Sequence, residues 1–234
     1  MGKTVLVTGG TKGIGLEVVK RFVESNDIVH VIGRNFSGFP YSDNPNVKTH
    51  VYDLKDISGL SELAKNIGAV DVLINNAGIA EGKNYKEYTE EDITEILNIN
   101  LKAPLELIRI FADDWIHKGE GRVVNVASQA SEIGHTDIWY GITKAGLVNA
   151  TKTLASELGP KGVVVNAVSP GPVKTDMTDD PTYSERYNRI VGRTYLKRIA
   201  YASEVADVIY WLANDSPQYV NGENIDVNNG AQRI

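Results

Sequence analysis

The sequence predicts a doubly wound α/β fold of the Rossmann type, a parallel seven-stranded sheet with helices on both faces. Short apolar runs rich in β-branched residues recur along the chain, and segments with helical patterning separate them. A glycine-rich stretch, TGGTKGIG at 8–15, lies between the first run and the first helix. Because the runs are apolar throughout, they indicate strands buried on both faces, as in a parallel sheet covered by helices.

Each element follows from its own pattern. Strands are expected at 4–9, 28–33, 47–53, 70–76, 122–127, 163–168 and 223–228. Helices are expected near 14–25, 56–66, 89–117, 140–158 and 203–213. Thr89 and Ser203 are predicted N-caps because acidic residues follow each of them, which suits the positive end of a helix.

One segment, 170–200, fits neither pattern, being polar and rich in tyrosine. A long irregular insertion in a compact domain is typical of a lid or a binding loop. The prediction is therefore a single catalytic domain, 1–234, with a substrate lid at about 171–199.

Composition excludes several classes of function. The net charge of −6 comes without a basic block, which argues against nucleic-acid binding. The absence of cysteine excludes disulfides and thiolate metal sites, and the four histidines lack metal-ligand spacing, so no metal is expected. The N-terminus lacks a signal-peptide pattern and no apolar run reaches membrane-spanning length, so we expect a cytoplasmic protein without a membrane partner.

Two turns stand where parallel sheets bind ligands. Glycines at 9, 13 and 15 allow a sharp turn and a close approach of the backbone to a pyrophosphate at the helix N-terminus. The spacing differs from G-x-G-x-x-G, and a plain glycine-rich turn is the alternative. Asn75-Asn76-Ala77-Gly78 follows the fourth strand and is open to the same two interpretations.

A third group of residues joins the fifth strand to the next helix. Tyr140 and Lys144, four apart, are helical neighbours, and an ammonium beside a phenol favours the phenolate. Ser128 ends the strand, without the G-x-S-x-G pattern of a nucleophilic serine. Asn100 lies within a predicted helix, where asparagine has a poor helix propensity, and its side chain is expected to make either a functional or a structural hydrogen bond. Gly141 is interpreted as leaving room for a cofactor beside the helix.

Taken in order, these motifs resemble those of the single-domain short-chain dehydrogenase/reductase family, including the 3-oxoacyl-acyl-carrier-protein reductases and related carbonyl reductases. The motifs are Thr8-x-x-x-Gly13-x-Gly15, Asp53-Leu54, Asn75-Asn76-Ala77-Gly78, Asn100, Ser128, Tyr140-x-x-x-Lys144 and Pro170-Gly171-x-x-x-Thr175. Two departures stand out: the loop between Ser128 and Tyr140 is one residue shorter than in the bacterial 3-oxoacyl reductases, and VNNG at 227–230 replaces their VDGG.

The resemblance implies roles for these residues. Tyr140 would be the general acid/base, Lys144 would lower its pKa and bind the nicotinamide ribose, and Ser128 would stabilise the oxyanion. Asn100 would hold a water that links Lys144 to solvent. The resemblance also implies a tetramer or dimer built through helices 89–117 and 140–158. The implied cofactor contacts are Gly9, Thr11, Lys12, Gly13, Ile14, Gly15, Arg34, Asp53, Leu54, Asn76, Ala77, Gly78, Tyr140, Lys144, Pro170, Gly171, Val173 and Thr175.

The end of the second strand predicts NADP(H) as the cofactor. NAD-selective sites place an acidic residue there, whereas this chain has Gly33 followed by Arg34. Lys12 adds a second cation for a ribose phosphate, although both side chains could simply face solvent. The predicted function is NADP(H)-dependent hydride transfer between a carbonyl and an alcohol of a small-molecule substrate. The alternatives are a non-catalytic dinucleotide-binding regulator and an epimerase or dehydratase. His135 lies either in the substrate pocket or on the ordinary loop surface.

Overall fold

The computed structural model describes residues 2–174, 188 and 191–231. All strand pairs are parallel, and the sheet has the order β3-β2-β1-β4-β5-β6-β7, which confirms the predicted fold class. The strands are β1 (Thr4–Thr8), β2 (Ile28–Gly33), β3 (Val47–Val51), β4 (Val72–Asn75), β5 (Gly121–Val126), β6 (Val163–Pro170) and β7 (Asn224–Val227).

Helices connect the strands close to the predicted positions. They are α1 (Gly13–Glu24), α2 (Leu60–Ile67), α3 (Glu90–Leu97), α4 (Ala103–Lys118), α5 (Ile138–Leu158) and α6 (Ala202–Asn214). A short 3₁₀ turn, Gln129–Ser131, follows β5, and another, Gly159–Lys161, follows α5. No helix among the described residues is long and apolar enough to cross a bilayer.

One predicted N-cap is confirmed and the other is wrong. Thr89 caps α3, its hydroxyl accepting from the Asp92 amide at 3.2 Å while the Asp92 carboxylate accepts from the Thr89 amide at 2.9 Å. α6 begins one residue before Ser203. The Glu204 carboxylate, which Arg198 also binds, accepts from the Tyr201 amide at 2.8 Å and thereby fixes the earlier start.

The predicted helix 89–117 is interrupted. A π-helical segment, Asn98–Lys102, separates α3 from α4 and contains Asn100. Pro104 has no N–H, so the Asn100 carbonyl, four residues earlier, lacks the donor that an α-helix would provide. Segments of this kind recur at functional sites because they re-aim side chains within an otherwise regular helix.

Two apolar layers cover the sheet. Val5 and Val7 of β1 face α1 and α6, whereas Leu6 between them faces α2, α4 and α5. The layer under α4 includes Trp115, whose indole N–H donates to the Val70 carbonyl at 2.7 Å. Burial on both faces explains why the strand sequences are apolar without alternation.

The strand order fixes where a ligand can lie. From β1 the chain winds outward to β2 and β3, then crosses back to add β4, β5, β6 and β7 on the other side. The loops that leave β1 and β4 therefore diverge at the carboxyl edge of the sheet and leave a crevice between them. Of the predicted lid, 171–199, residues 175–187, 189 and 190 lie outside the described part of the chain.

Candidate active site

The glycine-rich loop forms the floor of a cleft at this crevice. Gly9 and Gly13 have φ values of 66° and 55°, in the left-handed region that favours glycine. A Cβ built on Gly15 would lie 2.2 Å from the Gly9 carbonyl oxygen. These three positions therefore require glycine, and the tight loop brings its backbone to the N-terminus of α1.

The cleft has a volume of about 530 Å³. It brings together the predicted cofactor contacts from the glycine loop and from the ends of β2, β3 and β4. Those that line it are Gly9, Thr11, Lys12, Gly13, Ile14, Gly15, Arg34, Asp53, Leu54, Asn76, Ala77 and Gly78. Backbone amides at a helix N-terminus and an elongated cleft across the switch point fit a dinucleotide.

The distribution of charge within the cleft is uneven. Lys12 and Arg34 lie at the end formed by the glycine loop and β2. The residue beside them at position 33 is glycine, and a Cβ there would lie 2.9 Å from Thr11 Cγ2, so a side chain at this position would require Thr11 to shift. The acidic lining residues are Asp53, Glu81 and Glu95, which follow β3 and β4 or lie on α3.

Hydrogen bonds tie the end of β4 to the end of β1. The Thr8 hydroxyl accepts from the amides of Asn76 and Ala77, each at 3.0 Å. The Asn76 side chain donates to the carbonyls of Thr8 and Gly9, each at 3.0 Å. The Asn76 side chain therefore stabilises the conformation of the glycine loop. Gly78, two residues later, forms the inner wall of the cleft.

Tyr140 and Ser128 meet beyond that wall. Tyr140 lies in the first turn of α5, and Ser128 precedes the 3₁₀ turn after β5, where its oxygen accepts from the Ala130 amide at 3.1 Å. Burial raises the pKa of the Tyr140 phenol, a hydrogen bond with Ser128 lowers it, and the nearby Asp137 carboxylate raises it. The phenol is therefore protonated at neutral pH in the protein without cofactor.

Lys144 is buried on the same helix, with a 3% exposed fraction. Its Nζ donates to the Val126 carbonyl at 2.7 Å and lies 5.7 Å from the centroid of the Tyr140 ring. Burial lowers its pKa to about 8. A Cβ on Gly78 would lie 3.2 Å from Lys144 Nζ, so glycine at 78 lets the ammonium reach the wall of the cleft. Among the described residues it has no carboxylate partner, which suits a ligand hydroxyl.

Asn100 is fully buried, and both polar atoms of its side chain have hydrogen-bond partners. Its Oδ1 accepts from the Ile79 amide at 2.8 Å, and its Nδ2 donates to the Ile79 carbonyl at 2.8 Å and to the Thr143 hydroxyl at 3.2 Å. The Thr143 hydroxyl in turn donates to the Tyr140 carbonyl at 2.8 Å. The side-chain oxygen keeps one acceptor position for the expected water, and the backbone carbonyl, to which Pro104 cannot donate, is a second candidate.

Other predicted residues are placed differently. Pro170 ends β6, the Gly171 amide donates to the Val227 carbonyl at 2.9 Å, and Val173 pairs with Ala200, but none of the three lines the cleft. Thr175 lies outside the described residues.

The interpretation of Gly141 is wrong. A Cβ there would make ordinary contacts with Ala130 and His135 at 3.5 and 3.6 Å, facing the loop after β5 rather than the cleft. The His135 ring lies against the Tyr140 ring, with centroids 5.1 Å apart.

Several residues of the site escaped the sequence analysis. Ile79, Ala80 and Glu81 line the cleft and directly follow the Asn-Asn-Ala-Gly motif, so their position beyond a strand end was the available signal. Tyr52, which directly precedes the Asp53-Leu54 motif, and Glu95, from a segment without a motif, also line it. Asp137 is buried three residues before Tyr140, and its place ahead of a helix is that of an N-cap.

Comparison with known proteins identifies the family. A family model described as enoyl-(acyl carrier protein) reductase matches residues 9–232. The chain belongs to the short-chain dehydrogenase/reductase family. A 3-oxoacyl-(acyl-carrier-protein) reductase, FabG, from Aquifex aeolicus is 31% identical over 243 residues, covering 98% of this chain and 97% of the relative. The match supports an oxidoreductase of this family.

Solved structures of family members have the same architecture. The structure of ElxO with NADP bound superimposes with a TM-score of 0.90 at 28% identity, and the match covers all of both chains. A 4-hydroxyisoleucine dehydrogenase mutant complexed with NADH and succinate has a TM-score of 0.93 at 25% identity, covering 99% of each chain. Members similar to this chain thus bind either nicotinamide dinucleotide, so the choice between the two depends on local residues.

Proposed function

We propose that this short-chain dehydrogenase/reductase is an NADP(H)-dependent carbonyl reductase or alcohol dehydrogenase, with the whole chain as one catalytic domain. The main observation in support of this function is that Ser128, Tyr140 and Lys144 lie directly behind the Gly78 wall of a dinucleotide-sized cleft. A bound nicotinamide supplies the hydride for reduction or accepts it in oxidation. The protein's own part is to position the substrate oxygen and to move one proton.

Tyr140 is the proposed proton donor. During reduction its phenol gives a proton to the carbonyl oxygen, which becomes the alcohol oxygen, and the tyrosine is left as phenolate. The Ser128 hydroxyl stabilises the negative charge that develops on that oxygen. Burial alone makes the phenolate costly, so the nearby Lys144 ammonium is needed to stabilise it, as an opposite charge does.

The proton must then be replaced from solvent. Lys144, whose pKa is lowered to about 8, can lose and regain a proton near neutral pH. We assign the water-holding role of Asn100 to its backbone carbonyl, because Pro104 has no N–H to donate to it, while the side chain is bonded to Ile79 and Thr143. The side chain instead fixes Ile79 and Thr143 around the reacting residues.

The cofactor proposed is NADPH. Lys12 and Arg34 lie together at one end of the cleft, and Gly33, packed against Thr11, provides no acidic side chain there. A guanidinium binds two phosphate oxygens at once, so Arg34 suits a ribose 2′-phosphate. The NADP bound to the similar ElxO is consistent with this choice, and the NADH bound to the 4-hydroxyisoleucine dehydrogenase mutant shows that it needs a test.

A catalytic role explains more residues than the alternatives do. A dinucleotide-binding regulator has no need for a buried lysine, a raised-pKa tyrosine and a serine beside the cleft. An epimerase or dehydratase on this scaffold stays open until products are analysed. The similarity to FabG makes 3-oxoacyl thioesters the first substrate class to screen, followed by small ketones.

We further propose a cytoplasmic homo-oligomer, a tetramer or dimer. Ile138 and Ile142 on α5 are each 45% exposed, and apolar side chains on one exposed helix suit a contact between subunits. Light scattering measures the mass of the assembly in solution. A monomer at micromolar concentration would contradict this assignment.

The test of the function is a screen of carbonyl compounds followed at the reduced-nicotinamide absorbance band. With the best substrate from this screen, the Tyr140→Phe variant should have a kcat at least about 10²-fold lower than the wild type, and its affinity for NADPH should stay nearly unchanged. A Tyr140→Phe enzyme with full turnover would rule out the proposed acid/base. Tyr85→Phe is the matched control, since Tyr85 is 64% exposed and makes no contact with the cleft.

The cofactor is tested in the same assay. The native enzyme should prefer NADPH over NADH, and Lys12→Ala/Arg34→Ala should lower kcat/KM for NADPH at least about tenfold while changing NADH little. Lys20→Ala/Arg109→Ala controls for the loss of two surface cations. A native preference for NADH would overturn the cofactor assignment and leave the catalytic one standing.

A further inference from the structure

Asp137 is a fully buried carboxylate at the N-terminus of the helix that carries Tyr140. Its Oδ1 accepts a hydrogen bond from the Tyr140 amide at 2.9 Å. This N-cap bond fixes the first turn of α5, where the proposed acid/base lies. A short polar residue would serve as a cap equally well, so the full burial of a charged group calls for a further explanation.

The second carboxylate oxygen binds a different part of the site. Oδ2 accepts from the amides of Glu81 and Gly82, at 2.9 and 3.1 Å. These residues belong to the loop that follows β4, and Glu81 lines the cofactor cleft. The hydroxyl of Tyr88 faces the same carboxylate without the geometry of a hydrogen bond. One side chain thus joins the acid/base helix to the wall of the cleft.

The Asp137 charge is unusual in having no cation beside it. Burial would raise the pKa of this carboxyl, but the amides of Tyr140, Gly82 and Glu81, together with Tyr88, lower it. The group is therefore ionised at neutral pH. Ion pairs in the described ranges do not include Asp137, so its negative charge is stabilised by these amides and by Tyr88 rather than by a cation.

We infer that Asp137 is a positioning residue for Tyr140, which locks the first turn of α5 to the Glu81–Gly82 loop and places a negative charge at the Tyr140 amide, where it disfavours the phenolate. The inference deepens the proposed function and rests on it for the meaning of Tyr140 as acid/base. A protonated tyrosine is the form that carbonyl reduction consumes.

Other groups around Tyr140 act on the same proton. The Ser128 hydrogen bond favours the phenolate, as does the Lys144 ammonium 5.7 Å from the ring. The His135 ring lies against the phenol, and its Nδ1 is 3.1 Å from the Asp137 amide nitrogen and 3.3 Å from the Asp137 carbonyl oxygen. Of the named groups, Asp137 is the one that carries a negative charge near the phenol. Removing this charge should therefore lower the pKa of Tyr140.

A purely structural cap is the competing explanation, and two variants separate it from the inference. Asp137→Asn removes the charge and offers an NH₂ group to the Glu81 and Gly82 amides, which cannot accept it. Asp137→Ser keeps an oxygen for the Tyr140 amide but removes both the charge and the reach to the loop. If the asparagine variant fails to fold, the serine variant carries the test. Asp71→Asn is the matched control, a carboxylate that also accepts from a backbone amide but lies at the opposite edge of the sheet.

The decisive measurement is the titration of Tyr140 itself. Protein labelled with ¹³C at the tyrosine ζ carbon is titrated with and without NADP⁺, and the Tyr140 resonance is assigned by its loss in Tyr140→Phe. Both Asp137 variants should lower the Tyr140 midpoint by about 0.5–1 pH unit, and Asp71→Asn should leave it unchanged. Hydrogen exchange at the Glu81 and Gly82 amides should accelerate at least about tenfold in both variants.

The outcomes separate the inference from the function. A Tyr140 midpoint within about 0.2 pH unit of the wild-type value in both variants would overturn the inference, whatever happens to stability. Because the titration needs no substrate, it stands even if the carbonyl screen yields no turnover. Where turnover is found, the pH at which alcohol oxidation reaches half of its maximum should fall with the Tyr140 midpoint. If the pH profile of alcohol oxidation stayed unchanged while the Tyr140 midpoint moved, Asp137 would influence the titration of Tyr140 but not catalysis.

Discussion

Lys144 illustrates how a residue needed for chemistry can oppose folding. Its ammonium is buried, with the Val126 carbonyl as its hydrogen-bond acceptor, and its pKa is lowered from 10.5 to about 8. Between these two values the unfolded chain binds a proton that the folded protein does not. Stability therefore rises as the pH increases from about 8 to 10.5, and below pH 8 the protein bears the full unfavourable term.

We predict that Lys144→Met stabilises the protein without cofactor at pH 7 by about 2–3 kcal/mol, because a lowering of the pKa from 10.5 to about 8 corresponds to about 3 kcal/mol. The gain should shrink above pH 8, and activity should be lost. Urea unfolding at pH 7 and pH 9.5 measures both effects. Lys152→Met, an exposed lysine on the same helix, should change stability by no more than about 0.5 kcal/mol. A destabilised Lys144→Met protein would contradict the argument.

At the scale of elements, the helix from 89 to 118 is shaped around Asn100. The π-helical segment Asn98–Lys102 places the Asn100 side chain against Ile79, at the start of the loop that lines the cleft. The Asn100 side chain bonds both the N–H and the C=O of Ile79, as the backbone of a neighbouring strand would do in a sheet. The asparagine thus determines the course of the loop after β4 as well as its own helix.

We predict that Asn100→Ala lowers the free energy of unfolding by about 2–4 kcal/mol, because it leaves the N–H and C=O of Ile79 unpaired in a part-buried position. Asn98→Ala, in the same segment, loses one bond to the Lys55 carbonyl and should cost only about 0.5–1.5 kcal/mol. Chemical denaturation monitored by circular dichroism compares the two. Equal losses would mean that Asn100 acts only through its carbonyl.

The sequence predicted the elements better than their interruptions. The strands end within two residues of their expected positions, because apolar β-branched runs bounded by glycine and asparagine leave little freedom. The π-helical segment was not predictable from periodicity, since its apolar pattern matches that of an α-helix and only Pro104 hints at a missing donor. The start of α6 was misplaced because Arg198, outside the helix, holds Glu204 in the capping position.

In the candidate site, too, some residues could be predicted from the sequence and others could not. Residues of the glycine loop and of the Asn-Asn-Ala-Gly turn were predictable because backbone geometry restricts them to few residue types. Asp137 and Tyr88 were not, because each acts through a contact with residues more than forty positions away in the chain. Glu95 and Tyr52 enter the cleft only because α3 and β3 flank it, which no local pattern records.

Across the whole molecule, function and stability lie at opposite edges of the sheet. The carboxyl edge holds the cleft, Lys144 and Asn100. At the amino edge, polar side chains tie the strand starts together: Asp27 accepts from the Lys3 amide at 2.7 Å, and Asp71 accepts from the Thr4 amide at 2.8 Å. Arg122 donates to the Leu212 carbonyl in the last turn of α6 and to the Ser216 hydroxyl just beyond it. Changes at this edge should alter stability without reaching the chemistry.

Asp71 provides the test of this separation. Burial would raise the pKa of its carboxyl, but Lys118 and the Thr4 amide lower it on balance. A carboxyl with a lowered pKa stabilises the fold above the pKa of the unfolded chain, near 3.9, and that stabilisation disappears as the pH falls through the folded value. We predict that Asp71→Asn loses about 1–2 kcal/mol at pH 7 and that the difference from wild type shrinks between about pH 5 and pH 3. Urea unfolding across that range measures the loss, while kcat/KM and NADPH affinity at pH 7 should match the wild type. A drop in kcat/KM without a change in folded fraction would mean that the two edges are coupled through β4, which runs from Asp71 to the Asn75–Gly78 turn.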